Sequence, residues 1–363
     1  MTKRTNTATW LANQQRWQIK VQKDGVRRTF TSSKPGRTGQ REANAKADAW
    51  LDTGILDQRR KVADVYRLFL EMKKDTTSYS NYRPMESRYR VQIEPIIGKK
   101  LVSRLTEQDL QEVINRAYKG GHLSKKSLEN LRTDLTAFMK YCRKAKLLTL
   151  LPEDLTIPAA ATTEEKTILQ PEDFAKLFQS DQTTFYGKAV HDDLIHAYRL
   201  AVLTGMRPGE LRGLQWGDIR GNRIELRRSI NQYQEVTRGK NDNARRVVEL
   251  SELALRELDA QSLENAPHGL SDSVFDIPSE NYFRIRLQRY FEYNGIPYCT
   301  PYELRHTFVS IAKVLPAGLV KSIVGHSADM DTFGVYGHEL QGDTARRVTA
   351  LDELFSSLLQ EKK

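Results

Sequence analysis

Two cysteines in 363 residues, Cys142 and Cys299, are too few and too far apart for a disulfide framework or a zinc-ligand spacing. Such sparing use fits a reducing, intracellular compartment. No apolar run approaches the ~18 residues of a membrane span, so neither an integral membrane protein nor a membrane partner is expected. The start, MTKRTNTATWLANQQRW, is basic but has no apolar segment behind it, unlike a secretory signal. There is no internal repeat and no carboxylate cluster suited to a two-metal site. Neither a metal nor a cofactor is expected. With 39% hydrophobic and 28% charged residues the composition is globular, which excludes collagen-like and wholly disordered chains. The length suggests two or three domains.

What the sequence has in excess is positive charge, unevenly spread. The formal charge is +11, but residues 1–60 carry +8, residues 61–157 carry +7 and residues 158–363 carry −4. A basic front half on a near-neutral back half points to a polyanion held by the front.

Patterning divides the chain into three stretches, 1–57, 58–157 and 158–363. In RWQIKVQKDGVRRTFT, Trp17, Ile19 and Val21 alternate with polar residues. Asp24-Gly25 is a hairpin signal and Val26 to Thr31 the return strand. SSKPGRTGQ reads as a loop, and REANAKADAWLDTG as a helix closed by Gly54. In the second stretch Val62, Val65, Leu68, Phe69 and Met72 recur at helical spacing, as do Leu110, Val113, Ile114 and Ala117, with Thr106 as an N-cap. Residues 124–142 give the clearest helix, with Leu128, Leu131, Leu135, Phe138 and Met139 on one face. Basic residues including Lys125, Lys126 and Arg132 line the other. LPEDLTIPAAATTEEKT, 151–167, lacks periodicity and reads as a linker. Beyond it, ILQ suggests a strand remnant before a Pro-initiated helix. Helix signals dominate the rest except near 223–251, where RIELRRSI and RRVVELS read as two strands. The chain ends in an amphipathic helix with Leu351, Leu354, Phe355, Leu358 and Leu359.

Four segments of the last stretch carry chemistry: LTGMRPGELRGLQWGDI (203–219), the loop RGKNDNARRVVEL with Lys240, TPYELRHTFVS (300–310), and IVGHSADMDTFGVYGH (323–338). Singly, each residue has an ordinary reading. Arg207 could pair with Glu210 or Asp218, Arg305 could form a helix-surface ion pair, and Lys240 could be merely solvated.

Together, in this order and spacing, the four segments resemble the tyrosine recombinase (phage integrase) family. The resemblance implies a catalytic set of Arg207, Lys240, Arg305, His326 and the nucleophile Tyr336, with Glu210, His306 and His338 in support. The chemistry suits those residue types. Guanidinium forks bind a phosphodiester bidentately and stay charged. A lysine can protonate the departing 5′ oxygen. A tyrosine can form a 3′-phosphotyrosyl link that conserves bond energy, so rejoining needs no ATP. One position departs from the family: Tyr302 stands where it usually has the histidine of H-x-x-R. It keeps the one-turn spacing to Arg305, so the two share a face. A phenol donates a hydrogen bond but is a poor base at neutral pH, so Tyr302 joins the catalytic set as a residue that supports the phosphate or orients the nucleophile, and it is also a rival nucleophile to Tyr336.

The fold implied is multidomain and mainly α with small β-sheets: an N-terminal sheet-plus-helix arm-binding module, a helical core-binding domain, and a mixed α/β catalytic domain. Arg27, Arg28, Lys125, Lys126 and Arg132 are candidate DNA contacts. The implied partners are double-stranded DNA at core and arm sites and a homotetramer on that DNA. A host DNA-bending protein and an excisionase are further implied partners, and the setting is the bacterial cytoplasm. Other readings are a catalytically impaired DNA-binding regulator of the same fold, for which Tyr302 is the support, and a type IB topoisomerase. The C-terminal helix could dock on a neighbouring protomer or on its own domain.

Overall fold

The computed structural model describes residues 5–23, 26–52, 60–121, 123–163, 165–237, 246–315 and 343–360. The chain divides into two compact units, Met1–Glu164 and Glu165–Lys363.

The first unit holds two separate apolar clusters. The smaller belongs to a three-stranded antiparallel sheet, β1 (Thr9–Leu11), β2 (Arg16–Lys23) and β3 (Val26–Ser32), with helix α1 (Gly36–Asp52) on one face. The alternation in β2 works as expected: Ile19 and Val21 are buried against Ala43, Ala47 and Leu51 of α1. Asp24, Gly25 and Gly54 lie outside the described residues. β2 and β3 pair in unbroken register from Trp17↔Ser32 to Lys23↔Val26. Two features differ from the sequence reading. β1 is an added strand, too short to show a period. α1 begins at Gly36, inside the segment read as a loop. Gly39 is needed there for close approach rather than for a turn: a Cβ would lie 1.7 Å from the Lys34 carbonyl oxygen and 2.7 Å from the Trp17 ring.

The larger cluster is built by α2 (Val62–Thr76), α3 (Tyr79–Arg88), α4 (Glu94–Ile97), α5 (Glu107–Gly121) and α6 (Lys125–Lys144). Tyr66 stacks on Tyr89 with ring centroids 4.2 Å apart, and Phe69 and Phe138 close around it. Leu68, read as part of the apolar stripe of α2, is exposed instead. Tyr66 and Leu70 take its place, because the buried face follows Val62, Val65, Tyr66 and Phe69. Thr106 and Asp109 cap α5 reciprocally, and Ser124 caps α6. A buried pair, Arg88 Nε to Asp134 Oδ2 at 2.6 Å, ties α3 to α6. The segment read as a linker forms no helix or strand up to residue 163, yet it is fastened. Glu107 accepts from the backbone N–H groups of Glu153 and Asp154, Gln111 brackets Thr156, and Leu155 and Ala161 enter the core.

The second unit has its own core. Helix α7 (Pro171–Leu177) starts at proline as expected, but no strand precedes it. The Leu169 N–H is held by Thr307 Oγ1 at 3.1 Å, so a side chain replaces a sheet partner. An unanticipated hairpin follows, β4 (Gln182–Phe185) and β5 (Lys188–His191), turning through Tyr186 and Gly187 at φ 49 and 75. Apart from Thr183 its side chains are largely exposed, so no apolar alternation marks it in sequence. Helix α8 (Ile195–Thr204) is buried on every side and leads into α9 (Pro208–Arg212). Strands β6 (Ile219–Arg220), β7 (Arg223–Glu225) and β10 (Val247–Glu249) form a sheet in the order β10-β7-β6, and β8 (Ser229–Ile230) pairs with β9 (Val236–Thr237). Helices α10 (Glu252–Glu264), α11 (Glu280–Tyr293) and α12 (Pro301–Ile311) and a last helix, Asp343–Gln360, complete it. Leu214 and Trp216 are core residues, as expected. Among the described residues no helix is long and apolar enough to cross a membrane.

Candidate active site

The site grows from the end of α8. Gly205 caps that helix in the left-handed region at φ 64, and a Cβ there would meet the Phe308 ring at 2.5 Å. The turn sets Arg207 as the N-cap of α9, with Pro208 at the first helical position. Glu210 reaches back: its Oε2 accepts from the Arg207 backbone N–H at 2.8 Å and its Oε1 from Arg207 Nη1 at 2.8 Å. Glu210 is only 4% exposed, whereas a third of the Arg207 side chain faces solvent. Thus Arg207 pairs with Glu210. Asp218, the other acid considered, is taken by Arg228 at 2.7 Å and by the Gln215 N–H.

Arg305 on α12 is no surface ion pair. It is 3% exposed, and its Nη1 donates to the Gly205 carbonyl at 2.6 Å, two residues before Arg207. Burial, then the charges of Arg207 and Arg246, lower its pKa to about 10, still well above neutrality. The structure therefore brings Arg207, Glu210 and Arg305 together. It adds Arg246, which sequence reasoning missed. Arg246 Nη1 and Nη2 clasp the two Glu210 oxygens at 2.8 and 3.0 Å. The only signal for it was a basic residue entering the strand VVE. Burial disfavours a charged Glu210, but Arg246, with help from Arg207, more than offsets this and holds the carboxyl below its usual range. Three guanidinium groups around one carboxylate leave a net positive pocket, suited to a phosphate.

Tyr302 and Arg305 are close enough for the phenol to act on the guanidinium electrostatically, but they differ in burial. Tyr302 is half exposed and packs edge-on against His306, ring centroids 5.5 Å apart, while Arg305 turns inward. One helical turn sets spacing, but the angular offset of three residues is enough to separate a rim position from a buried one. Lys240, His326, Tyr336 and His338 lie outside the described residues.

Of the candidate DNA contacts, Arg132 lines a shallow concavity on the open side of α6, with Thr133, Thr136, Ala137 and Lys140. Lys126 pairs with Glu129 at 3.3 Å, and Lys125 starts the helix. Arg27 and Arg28 point to opposite faces of the sheet. Arg28 is paired with buried Val21 and lies over the Trp50 ring of α1 at 5.8 Å; Arg27 is paired with Gln22 on the open face.

An arginine cluster around a buried carboxylate, on a mainly helical unit with a small antiparallel sheet, is what the tyrosine recombinase class of DNA strand-transfer enzymes would require, and comparison with known proteins shows that class. Residues 168–342 match the phage integrase family, and residues 61–118 match the phage integrase N-terminal SAM-like domain. The chain belongs to the phage integrase family. A tyrosine recombinase XerC-like protein of Caldanaerobacter subterraneus subsp. tengcongensis is 25% identical over 365 residues, covering 88% of this chain and 91% of that protein. The ICEBs1 integrase of Bacillus subtilis is 24% identical over 315 residues, covering 80% and 81%. Two solved structures share the fold. The Tn1549 transposon integrase in complex with a circular intermediate DNA has a TM-score of 0.63 at 20% identity, over 80% of this chain and 98% of that one. The lambda integrase tetramer bound to a Holliday junction has a TM-score of 0.52 at 16% identity, over 91% and 98%. The protein is thus a site-specific recombinase that breaks and rejoins DNA, and the reading as a catalytically impaired regulator is not favoured.

Proposed function

We propose that this protein is the integrase of a phage or integrative element, acting on double-stranded DNA through a 3′-phosphotyrosyl intermediate. The observation that carries the reading is the assembly of Arg207 and Arg305 around Glu210 in one positively charged pocket. In that pocket the two guanidinium groups neutralise the non-bridging oxygens of the scissile phosphate, and His326 adds a third donor. The Tyr336 oxygen forms a bond to phosphorus as the phenol gives up its proton to solvent water. The bond from phosphorus to the 5′ oxygen breaks, and Lys240 protonates that oxygen. A 5′ hydroxyl from another strand reverses the step and frees the tyrosine. Exchange in pairs requires four protomers on two DNA partners. A host DNA-bending protein and an excisionase are further candidate partners.

The test is a nicked duplex built on the junction of the circularised element that carries the gene. Wild-type protein is expected to form a covalent adduct, resolved on a denaturing gel and insensitive to chelator. Tight binding without adduct would favour the regulator reading instead. Relaxation of supercoiled plasmid without site preference would favour the topoisomerase reading.

The N-terminal sheet suits arm-site recognition through its open face. Gln18, Lys20, Gln22, Arg27, Thr29 and Thr31 share that face by register. Arg27→Ala is expected to weaken arm-site binding by about 1–3 kcal/mol, the scale of one good base contact. Arg28→Ala should lower the thermal stability of the module through the lost packing on Trp50 and leave arm affinity nearly unchanged. Gel shifts on arm-site duplexes, paired with thermal melts, distinguish the two. Equal losses of affinity would contradict the assignment of faces.

A further inference from the structure

We propose that Arg246 is a positioning residue for DNA cleavage: by clasping Glu210 it fixes Arg207 and ties the start of β10 to the start of α9. The proposal rests on the reading of this pocket as the cleavage site.

The geometry is that of a shared carboxylate. Glu210 Oε1 accepts from Arg207 Nη1 and Arg246 Nη1, both at 2.8 Å. Its Oε2 accepts from the Arg207 backbone N–H at 2.8 Å and Arg246 Nη2 at 3.0 Å. Four donors fill the four lone-pair positions of one carboxylate, which leaves it a single orientation. Arg246 is nearly buried, with 7% of its side chain exposed, against 33% for Arg207. Arg207 is therefore the one of the two that can meet a phosphate, and Arg246 acts through Glu210.

Two consequences follow. The first is charge. A buried glutamate paired with Arg207 alone would cancel the cation that the phosphate needs. With Arg246 satisfying Glu210, the pocket stays positive. The second is mechanical. The Arg246 carbonyl accepts from the Leu226 N–H at 3.0 Å, which pins the residue to β7 immediately before β10 begins. Lys240 lies six residues upstream in the sequence. One ion pair thus ties the start of β10 to the helix start that displays Arg207. A one-ångström displacement of the Arg207 cation is the size of error that costs rate.

The experiment compares wild type, Arg246→Met, Arg246→Lys, Glu210→Gln and the Arg246→Met/Glu210→Gln double variant. Single-turnover adduct formation is measured on the nicked junction duplex, with DNA affinity and melting temperature measured alongside. Arg246→Met is expected to slow adduct formation by about 100-fold with unchanged DNA affinity. Arg246→Lys should regain part of the rate. The double variant should be no slower than the slower single, as for two residues acting as one unit. The pH profile supplies a readout that loss of stability would not move. Glu210 is faced by Arg207 from its own helix, Arg246 from the start of β10 and Arg305 from α12. In wild type its carboxyl is depressed and stays ionised through the working range. Without Arg246, burial raises it, so cleavage should fall as pH drops through a range where wild type is flat. An Arg246→Met protein held below its melting temperature that cleaves at the wild-type rate with a flat profile overturns the proposal. So do losses that multiply in the double variant. Absence of adduct from wild type itself would overturn the reading of the site, and this proposal with it.

Discussion

Tyr336→Phe protein is expected to give no covalent adduct on the nicked junction duplex, a loss of about 10³-fold or more, because the bond to phosphorus needs the phenolic oxygen. Tyr302→Phe should still give adduct, at a modestly reduced rate. Both residues are tyrosines near the same chemistry, and the sequence alone leaves Tyr302 as a rival nucleophile. Tyr336 lies outside the described residues, so the observation that bears on the choice is the placement of Tyr302. Tyr302 stands on the first turn of α12, half exposed and braced edge-on by His306, on the rim above the buried Arg305. There it can donate a hydrogen bond to a phosphate oxygen, as the usual histidine would, without being the attacking group. DNA affinity should be close to wild type in both variants, since neither change removes a cation. Adduct lost only in Tyr302→Phe would reverse the assignment.

Phe355→Ala is expected to destabilise the catalytic unit by about 3–5 kcal/mol, the usual cost of emptying a buried phenylalanine site. In urea this corresponds to a midpoint lowered by about 1 M or more. Phe355 is fully buried. Its ring lies parallel to Phe174 of α7 at 5.9 Å, and Phe308 of α12 approaches at 6.4 Å. Leu351 is buried beside it, and Asp352 Oδ1 accepts from the Glu252 N–H at the start of α10 at 2.6 Å. The last helix is therefore part of its own unit's core rather than an arm held out for a neighbour. Removing 345–363 should lower stability as well as assembly. Phe308 is on the helix that carries Arg305, so the loss should reach the phosphate pocket too. An unchanged urea midpoint with lost tetramer formation would favour docking in trans.

How much of this was legible beforehand depends on whether the signal is local. Helices α2, α5 and α6 follow from apolar spacing, since a buried stripe must repeat every 3.6 residues whatever it packs against. The turn at 205–208 could be read from Thr-Gly before Arg-Pro, because a left-handed cap and a fixed proline φ are properties of single residues. The β4–β5 hairpin left no such mark, as it buries almost nothing. The early start of α1 was hidden because Gly36 and Gly39 look like loop residues, while Gly39 serves a contact with Trp17 that only the folded chain makes. The fastening of 151–163 was hidden for the same reason: its partners, Glu107 and Gln111, lie more than forty residues away.

The site divides along the same line. The sequence by itself determined which residue types are present and in what order: Arg207, Glu210, Lys240, Arg305, His326 and Tyr336, and with them the class of chemistry. Only the tertiary structure decided which charges meet. It turned Arg305 inward onto the Gly205 carbonyl, left Tyr302 on the rim, put Arg27 and Arg28 on opposite faces of a sheet, and brought Arg246 across 36 positions to clasp Glu210. The physical reason is range. Propensity, capping and turn chemistry act over a few neighbouring residues, whereas burial and charge pairing depend on whichever side chain the fold delivers, however distant in the chain.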